Sequence, residues 1–142
     1  MTGTWQTWAV FSAVFAALTA IFAKIGVENV NSDLATFIRT IVILLVLGAI
    51  LVGLGEFRSL PTITGRTYLF LILSGLATGA SWLCYFRALQ IGNASQVAPI
   101  DKLSVVLVAI FGVTFLGERL TAPNWLGIVL IGAGALLVGL RP

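Results

Sequence analysis

The chain has no histidine, one cysteine and few charged residues, and each shortage excludes a class of protein. Without histidine there is neither an imidazole base nor a histidine ligand for a metal. A single cysteine, Cys84, excludes an internal disulfide and a cysteine cluster, and we expect it to be a small buried apolar residue. The net charge of +3 includes no basic block, so we expect no nucleic-acid partner. We also expect no metal site and no cofactor.

Apolar residues, in contrast, are abundant. They make up 59% of the 142 residues, and only 9% are charged, whereas a soluble domain has about 45–50% apolar and about 25% charged residues. A water-soluble fold of this size cannot bury so much apolar surface. The composition therefore predicts a polytopic membrane protein. No Lys or Arg precedes the first apolar stretch, so we expect no cleaved signal peptide.

Five apolar stretches are each long enough to cross a bilayer as a helix. They cover residues 5–26, 34–54, 66–89, 95–116 and 122–140. The connections are short and polar, so the prediction is one all-α bundle of five transmembrane helices, a single domain over residues 1–142. Ser32 and Asp33 are candidate N-caps for the second span. An odd number of spans places the two termini on opposite sides of the membrane.

The flanking charges give little information on orientation. Three basic residues lie at span ends on each side of the membrane, so the positive-inside rule has almost no bias to act on. Two interpretations stay open: the chain inserts both ways round, or a single end charge decides.

Charged residues inside the spans are the strongest functional signal. Arg39, Asp101 and Lys102 each lie about 7–10 Å below the same membrane surface, at 1.5 Å per helical residue. Lys24 and Arg87 lie just above that level. Because a charge facing lipid costs a few kcal/mol, these side chains are expected to face the bundle interior or a watered cavity.

Arg39 is the expected partner of Asp101, since a guanidinium fork fits a carboxylate. Lys102 points about 100° away from Asp101 on the helix, so one partner cannot easily serve both. Once Asp101 is paired with one cation, a positive charge is left over that could hold an anionic group. Pro99 removes a backbone N–H, and such broken helices accompany binding sites in transporters. The alternative is that Arg39 and Asp101 form a fixed buried pair that only sets helix register.

The third span adds polar and aromatic candidates for substrate binding. Ser74, Thr78, Ser81 and Tyr85 share one helix face and could line a polar path. Alternatively, the hydroxyls bond to their own helix backbone. Trp82 is either plain packing or an aromatic wall over a ligand.

Small residues mark the faces expected to pack closely, within one copy or between two copies. These are the Gly75 and Gly79 pair of the third span, and Gly127, Gly132, Gly134 and Gly139 of the fifth.

Three stretches resemble the EamA domain of the drug/metabolite transporter superfamily, and the resemblance covers nearly the whole chain. They are DLATFIRTIVILLV (33–46), YFRALQIGNASQVAPIDKLSVVLVAIFGVTFLGERL (85–120) and NWLGIVLIGAGALLVGL (124–140). The middle stretch, with APIDKLS and FLGERL, is the most specific.

The resemblance implies a transporter of small metabolites. Family members usually carry two five-helix repeats of opposite orientation, so one repeat implies a homodimer, antiparallel if the weak charge bias permits. The chain is also similar to the four-helix small multidrug resistance transporters. Their first-helix glutamate is absent here, which leaves Asp101 as the candidate for proton coupling.

These observations predict an ion-gradient-driven transporter in the cell (inner or plasma) membrane that works by alternating access and is not an enzyme. Its partners would be a small-molecule substrate, the lipid bilayer and a second copy. Two alternatives stay open: a membrane subunit that serves assembly without transport, and a small multidrug-type exporter of cationic compounds.

Overall fold

The computed structural model describes residues 4–140, of which 86% are helical, with no strand among them. The α-helices are α1 (Trp5–Gly26), α2 (Ser32–Leu54), α3 (Gly65–Ile91), α4 (Ala94–Asp101), α5 (Ser104–Phe115) and α6 (Ala122–Leu140), and Glu56–Thr62 forms a 3₁₀ helix. Five segments are long and apolar enough to cross a membrane, with α4 and α5 together forming the fourth. The predicted all-α multi-pass fold is confirmed.

The bounds of α1 and α6 agree with the prediction, but α2 begins two residues earlier than expected. Its N-cap is Asn31, not Ser32 or Asp33. The Asn31 side-chain oxygen accepts from the backbone N–H groups of Asp33 at 2.9 Å and Leu34 at 3.1 Å. This cap satisfies two of the N–H groups that a helix start leaves without intrahelical partners.

The segment after α2 is more regular than the expected loop. Gly55 ends α2 in the left-handed conformation, with φ +71°, which glycine adopts without steric cost. The 3₁₀ helix follows at once, includes Pro61 and packs against α2.

The fourth span is broken, whereas the sequence predicted one helix over residues 95–116. The backbone N–H of Lys102 donates to Pro99 O, and that of Leu103 donates to Ile100 O, both at 3.0 Å. These bonds connect residues three apart, as in a 3₁₀ turn, and they separate α4 from α5. Pro99 has no N–H to donate, so α-helical bonding is already weakened one turn earlier.

The chain divides into two compact units, each with a small core. In the unit of residues 23–90, Val27 and Leu89 are fully buried and Phe86 is nearly so. In the unit of residues 4–22 and 91–140, α6 packs against α4 and α5. Small residues of α5 and α6 are buried in this unit: Ala109, Gly112, Gly132 and Ala135.

Most large apolar side chains are exposed, as expected where lipid is the solvent. None of the most apolar window of α2 is buried. Cys84 is exposed too, and the expectation that it is buried was wrong. It lies two residues from both Trp82 and Phe86, which is about 200° around the helix and places it on the opposite face.

Candidate functional site

Arg39 lies against two aromatic rings of α3. Its guanidinium carbon is 4.2 Å from the ring centroid of Trp82 and 5.2 Å from that of Phe86. Trp82 and Phe86 are four residues apart and therefore share one helix face. A guanidinium over an aromatic face contributes about 0.5–2 kcal/mol, depending on how well water is excluded. We call Arg39, Trp82 and Phe86 the arginine–aromatic cluster.

The cluster holds Arg39 without neutralising its charge. Arg39 is half-buried, and within its own unit, residues 23–90, no carboxylate lies within ion-pair distance of it. Aromatic rings occupy the face of a planar guanidinium but leave its N–H edge available to a carboxylate or phosphate. Tyr85, also half-buried, lies within electrostatic range of Arg39. The two rings thus hold Arg39 in place, and no carboxylate within residues 23–90 balances its charge.

The other predicted members of the third-span face are exposed. Ser74, Thr78 and Ser81 lie at the surface of α3. The Thr78 hydroxyl donates to Ser74 O at 2.8 Å, which is the backbone bonding considered as the alternative to a polar path.

Lys24 and Arg87, the two end charges, have partners within the unit of residues 23–90. Lys24 Nζ donates to Leu89 O at 2.7 Å, near the C-terminal end of α3. A cation there satisfies a free carbonyl and interacts favourably with the helix dipole. Arg87 lies 3.6 Å from Asp33, and their side chains are 65% and 54% exposed. An ion pair as exposed as this contributes little.

Asp101 and Lys102 pair with each other. Lys102 Nζ donates to Asp101 Oδ2 at 3.2 Å, with the Lys102 side chain 54% exposed and that of Asp101 36% exposed. A continuous helix would place them about 100° apart, but Lys102 lies where α4 has already ended. The expected surplus charge on Lys102 is therefore balanced locally. The meeting of Arg39 with Asp101 and Lys102 stays a prediction.

The glycine faces differ in what they contact. A Cβ on Gly132 would lie 3.1 Å from Val106 Cγ2, and one on Gly139 would overlap Ile100. These two glycines therefore let α6 pack closely against α5 and α4. A Cβ on any of the other four would meet no other described atom of its own unit within 4 Å: Gly75, Gly79, Gly127 and Gly134. Within its own unit, this second group has open space around it.

Two residues in and near the cluster, Phe86 and Gln90, are absent from the predicted site. Phe86 could have been found from its spacing of four residues from Trp82. Gln90 donates to Val27 O at 3.3 Å and to Val30 O at 2.9 Å, which joins the end of α3 to the segment after α1. Its partners are backbone carbonyls, so no residue type in the sequence signals them.

A second polar position, Glu118, also lies outside the prediction. It follows α5 and lines a cavity of about 300 Å³ with apolar residues of that helix. The signal in the sequence is the Gly-Glu pair within the FLGERL stretch.

The family model described as "EamA-like transporter family" matches residues 3–140. An uncharacterized transporter from Sinorhizobium sp. is 63% identical over 138 residues, which is 97% of this chain and 98% of that protein. The uncharacterized transporter YxxF of Bacillus subtilis is 28% identical over 94% of this chain but only 42% of its own length. A probable 4-amino-4-deoxy-L-arabinose-phosphoundecaprenol flippase subunit ArnE, from Hamiltonella defensa, is 32% identical over 52% of this chain and 67% of its own. No solved structure matches the chain.

Proposed function

This chain belongs to the EamA-like transporter family, and we propose that it transports small anionic metabolites as a homodimer, driven by an ion gradient. The chain is a multi-pass membrane transporter protein, and the proposal concerns its substrate, its assembly and its energy source. We place it in the cell membrane and expect it to move its substrate without changing it chemically.

The arginine–aromatic cluster is the observation that carries the substrate class. Arg39 is the eighth residue of α2, roughly 10 Å along the axis from its start. A cation at such depth is costly unless it faces protein, water or a counter-charge. A substrate carboxylate or phosphate would supply that counter-charge through charge-assisted hydrogen bonds to the guanidinium edge. Tyr85 and the Trp82 ring would contact the rest of the substrate.

Asp101 is the proposed coupling group. Protonation of its carboxylate would abolish the charge attraction to Lys102 at the break between α4 and α5. A released Lys102 could then add a second cation for the substrate, so proton and anion occupancy would be linked. Broken helices with ionisable residues are typical of such sites in secondary transporters.

A second copy is needed to complete a pathway of the usual size. YxxF, of which this chain covers 42%, is long enough for two such units. Four open glycines offer surfaces for close helix contact. An antiparallel arrangement is consistent with the balanced flanking charges, and alternating access would then be a movement of one copy against the other.

Uptake into liposomes tests the proposal. Purified protein would be reconstituted and offered amino acids, organic acids, sugar phosphates and cationic dyes under a proton or sodium gradient. We expect gradient-driven movement of one anionic class, lost in Arg39→Ala and partly kept in Arg39→Lys. Arg66→Ala is the matched control, since Arg66 also lies over an aromatic ring. Its guanidinium carbon is 5.9 Å from the ring centroid of Phe70. Arg39→Ala with wild-type transport would refute the anion site.

Three further results would each remove part or all of the proposal. If Asp101→Asn keeps its dependence on the proton gradient, Asp101 is not the coupling group. If only cationic dyes move, the chain is a multidrug-type exporter, and if nothing moves it is an assembly subunit. A reporter at the C-terminus that is accessible from both membrane faces would support the antiparallel pair.

A lipid-linked anion is the second candidate substrate. The observation that favours it is the similarity to a probable flippase subunit named for a substrate that carries a phosphate on a polyprenyl chain. Arg39 would bind the phosphate, and the exposed apolar sides of α2 and α3 would contact the chain. Flipping of a fluorescent polyprenyl phosphate in proteoliposomes, compared with uptake of a soluble sugar phosphate, distinguishes the two.

A further inference from the structure

The turn that follows α5 involves two glycines, Gly112 and Gly117. Gly117 adopts the left-handed conformation with φ +69°, where a side chain would be strained. The chain then turns so that the Glu118 N–H donates to Gly112 O at 3.0 Å. The Leu116 N–H donates to the same carbonyl at 3.1 Å. Glu118 is thereby fixed beside the last turns of α5.

The Glu118 side chain lies directly over Gly112. A Cβ built on Gly112 would be 2.6 Å from Glu118 Oε2 and 3.2 Å from its Cδ. Any larger residue at position 112 would displace the carboxylate, so the Glu118 side chain lies here because residue 112 has no side chain. Gly112 is buried, whereas Glu118 is exposed at one side of the cavity.

Apolar residues line the pocket beside this carboxylate. The cavity of about 300 Å³ is lined by Val108, Phe111, Gly112, Phe115, Leu116 and Glu118. The rings of Phe111 and Phe115 are 5.8 Å apart and tilted by 53°. Among the described residues of its own unit, 4–22 and 91–140, no cation lies within ion-pair distance of Glu118. The cavity thus combines one unbalanced acid with aromatic walls.

We propose that this cavity binds a primary alkylammonium group. The ammonium would bind the Glu118 carboxylate, since a charge-assisted hydrogen bond is about twice as strong as a neutral one. Aromatic ring faces also attract cations, and the alkyl chain would pack on Phe111, Phe115 and Val108. The volume is at the lower end for ligand pockets, so it fits a headgroup and a short length of chain.

The position of the cavity favours an amphiphile. The fourth span ends at Phe115, so Glu118 lies just past the apolar segment while Val108 and Phe111 lie within it. An ethanolamine phospholipid and a free fatty amine both present an ammonium at this boundary with hydrocarbon beneath it. The shared chemistry is the alkylammonium group, and the site is independent of Arg39 and of the transport proposal.

Native mass spectrometry of the purified protein tests the site. The probes are dodecylammonium, with dodecanol as its uncharged analogue, and phosphatidylethanolamine, with phosphatidylglycerol as its amine-free analogue. We expect at least one amine to bind about tenfold more tightly than its analogue, the ratio that about 1.4 kcal/mol provides. Retention of dodecylammonium alone identifies a free amine, retention of the ethanolamine lipid alone identifies a headgroup, and retention of both identifies the group they share. If neither amine exceeds its analogue, the proposal is overturned.

Variants connect the binding to Glu118. Glu118→Gln should reduce amine retention about tenfold or more, and Gly112→Ala should reduce it by displacing the carboxylate without removing it. Glu56→Gln and Gly134→Ala are the matched controls, since Glu56 is an acid outside the cavity and Gly134 has open space around it. Should Glu118→Gln not fold, Glu118→Asp, with a carboxylate one bond shorter, takes its place. Unchanged retention in folded Gly112→Ala and Glu118 variants would refute the site.

Discussion

Gly139→Ala should loosen the contact between α6 and α4. The added Cβ would lie 2.6 Å from Ile100 Cγ1 and would overlap its terminal methyl. Carbon atoms in contact are normally about 3.5–4.0 Å apart. Either Ile100 must leave its rotamer or α6 must move away by about 1 Å to restore that separation.

The size of the effect follows from a comparison with Gly134→Ala on the same helix. A Cβ at Gly134 meets no described atom of its unit within 4 Å, so that variant changes intrinsic helix preference alone, by up to about 1 kcal/mol in favour of alanine. Overpacking costs about 1–3 kcal/mol. Gly139→Ala should therefore unfold more easily than Gly134→Ala by about 1–3 kcal/mol.

Reversible unfolding in mixed micelles, titrated with a denaturing detergent and followed by helical circular dichroism, measures this difference. Ile100→Ala provides the second side of a double-mutant cycle, because it removes the atoms that the new Cβ would strike. Combined with Gly139→Ala, it should recover at least about 1 kcal/mol relative to additivity. If Gly139→Ala and Gly134→Ala unfold together, or the two substitutions add without coupling, the proposed α4–α6 contact is wrong.

Three further predictions concern the cap, the cluster and the helix break. In the same titration, Asn31→Ala should lower the unfolding free energy by about 1 kcal/mol. Asp33→Asn loses only an exposed ion pair and should lower it by less than about 1 kcal/mol. A larger loss in Asp33→Asn than in Asn31→Ala would contradict the assigned cap. Trp82→Leu should lower the unfolding free energy by about 0.5–2 kcal/mol. It should also reduce anion uptake, because Arg39 loses the ring that holds it. Unchanged uptake would show that the Trp82 ring is not part of the site. Pro99→Ala restores a backbone donor, so amide hydrogen exchange over residues 99–106 should slow, and exchange at the wild-type rate would show that proline does not cause the break.

The positions of the spans could be predicted because an apolar run of about 20 residues matches the thickness of the hydrocarbon core. The first and last spans were predicted to the residue. The 3₁₀ helix over Glu56–Thr62 was not, because a polar segment containing proline has no hydrophobic period to identify it. The break after Asp101 was signalled by Pro99 but occurs three residues later, where backbone bonding changes.

For the charged residues, the sequence predicts less than it does for the spans. Their depth along a helix can be counted in a sequence, but their partners cannot. Lys24 bonds to a backbone carbonyl, which every residue carries, and Lys102 pairs with its neighbour in the sequence at the point where α4 ends. The seat of Glu118 depends on a glycine six residues earlier, and one sequence gives no sign that the two positions touch. Arg39 and Trp82 were both predicted in the site, although not as a stacked pair.

The uncovered surface of α2 has a practical consequence for any preparation of this subunit. Its most apolar window has no buried residue, so every side chain there must be solvated by lipid, by another protein or by surfactant. Lifetime outside the bilayer should therefore depend on the chain length and micelle size of the chosen surfactant.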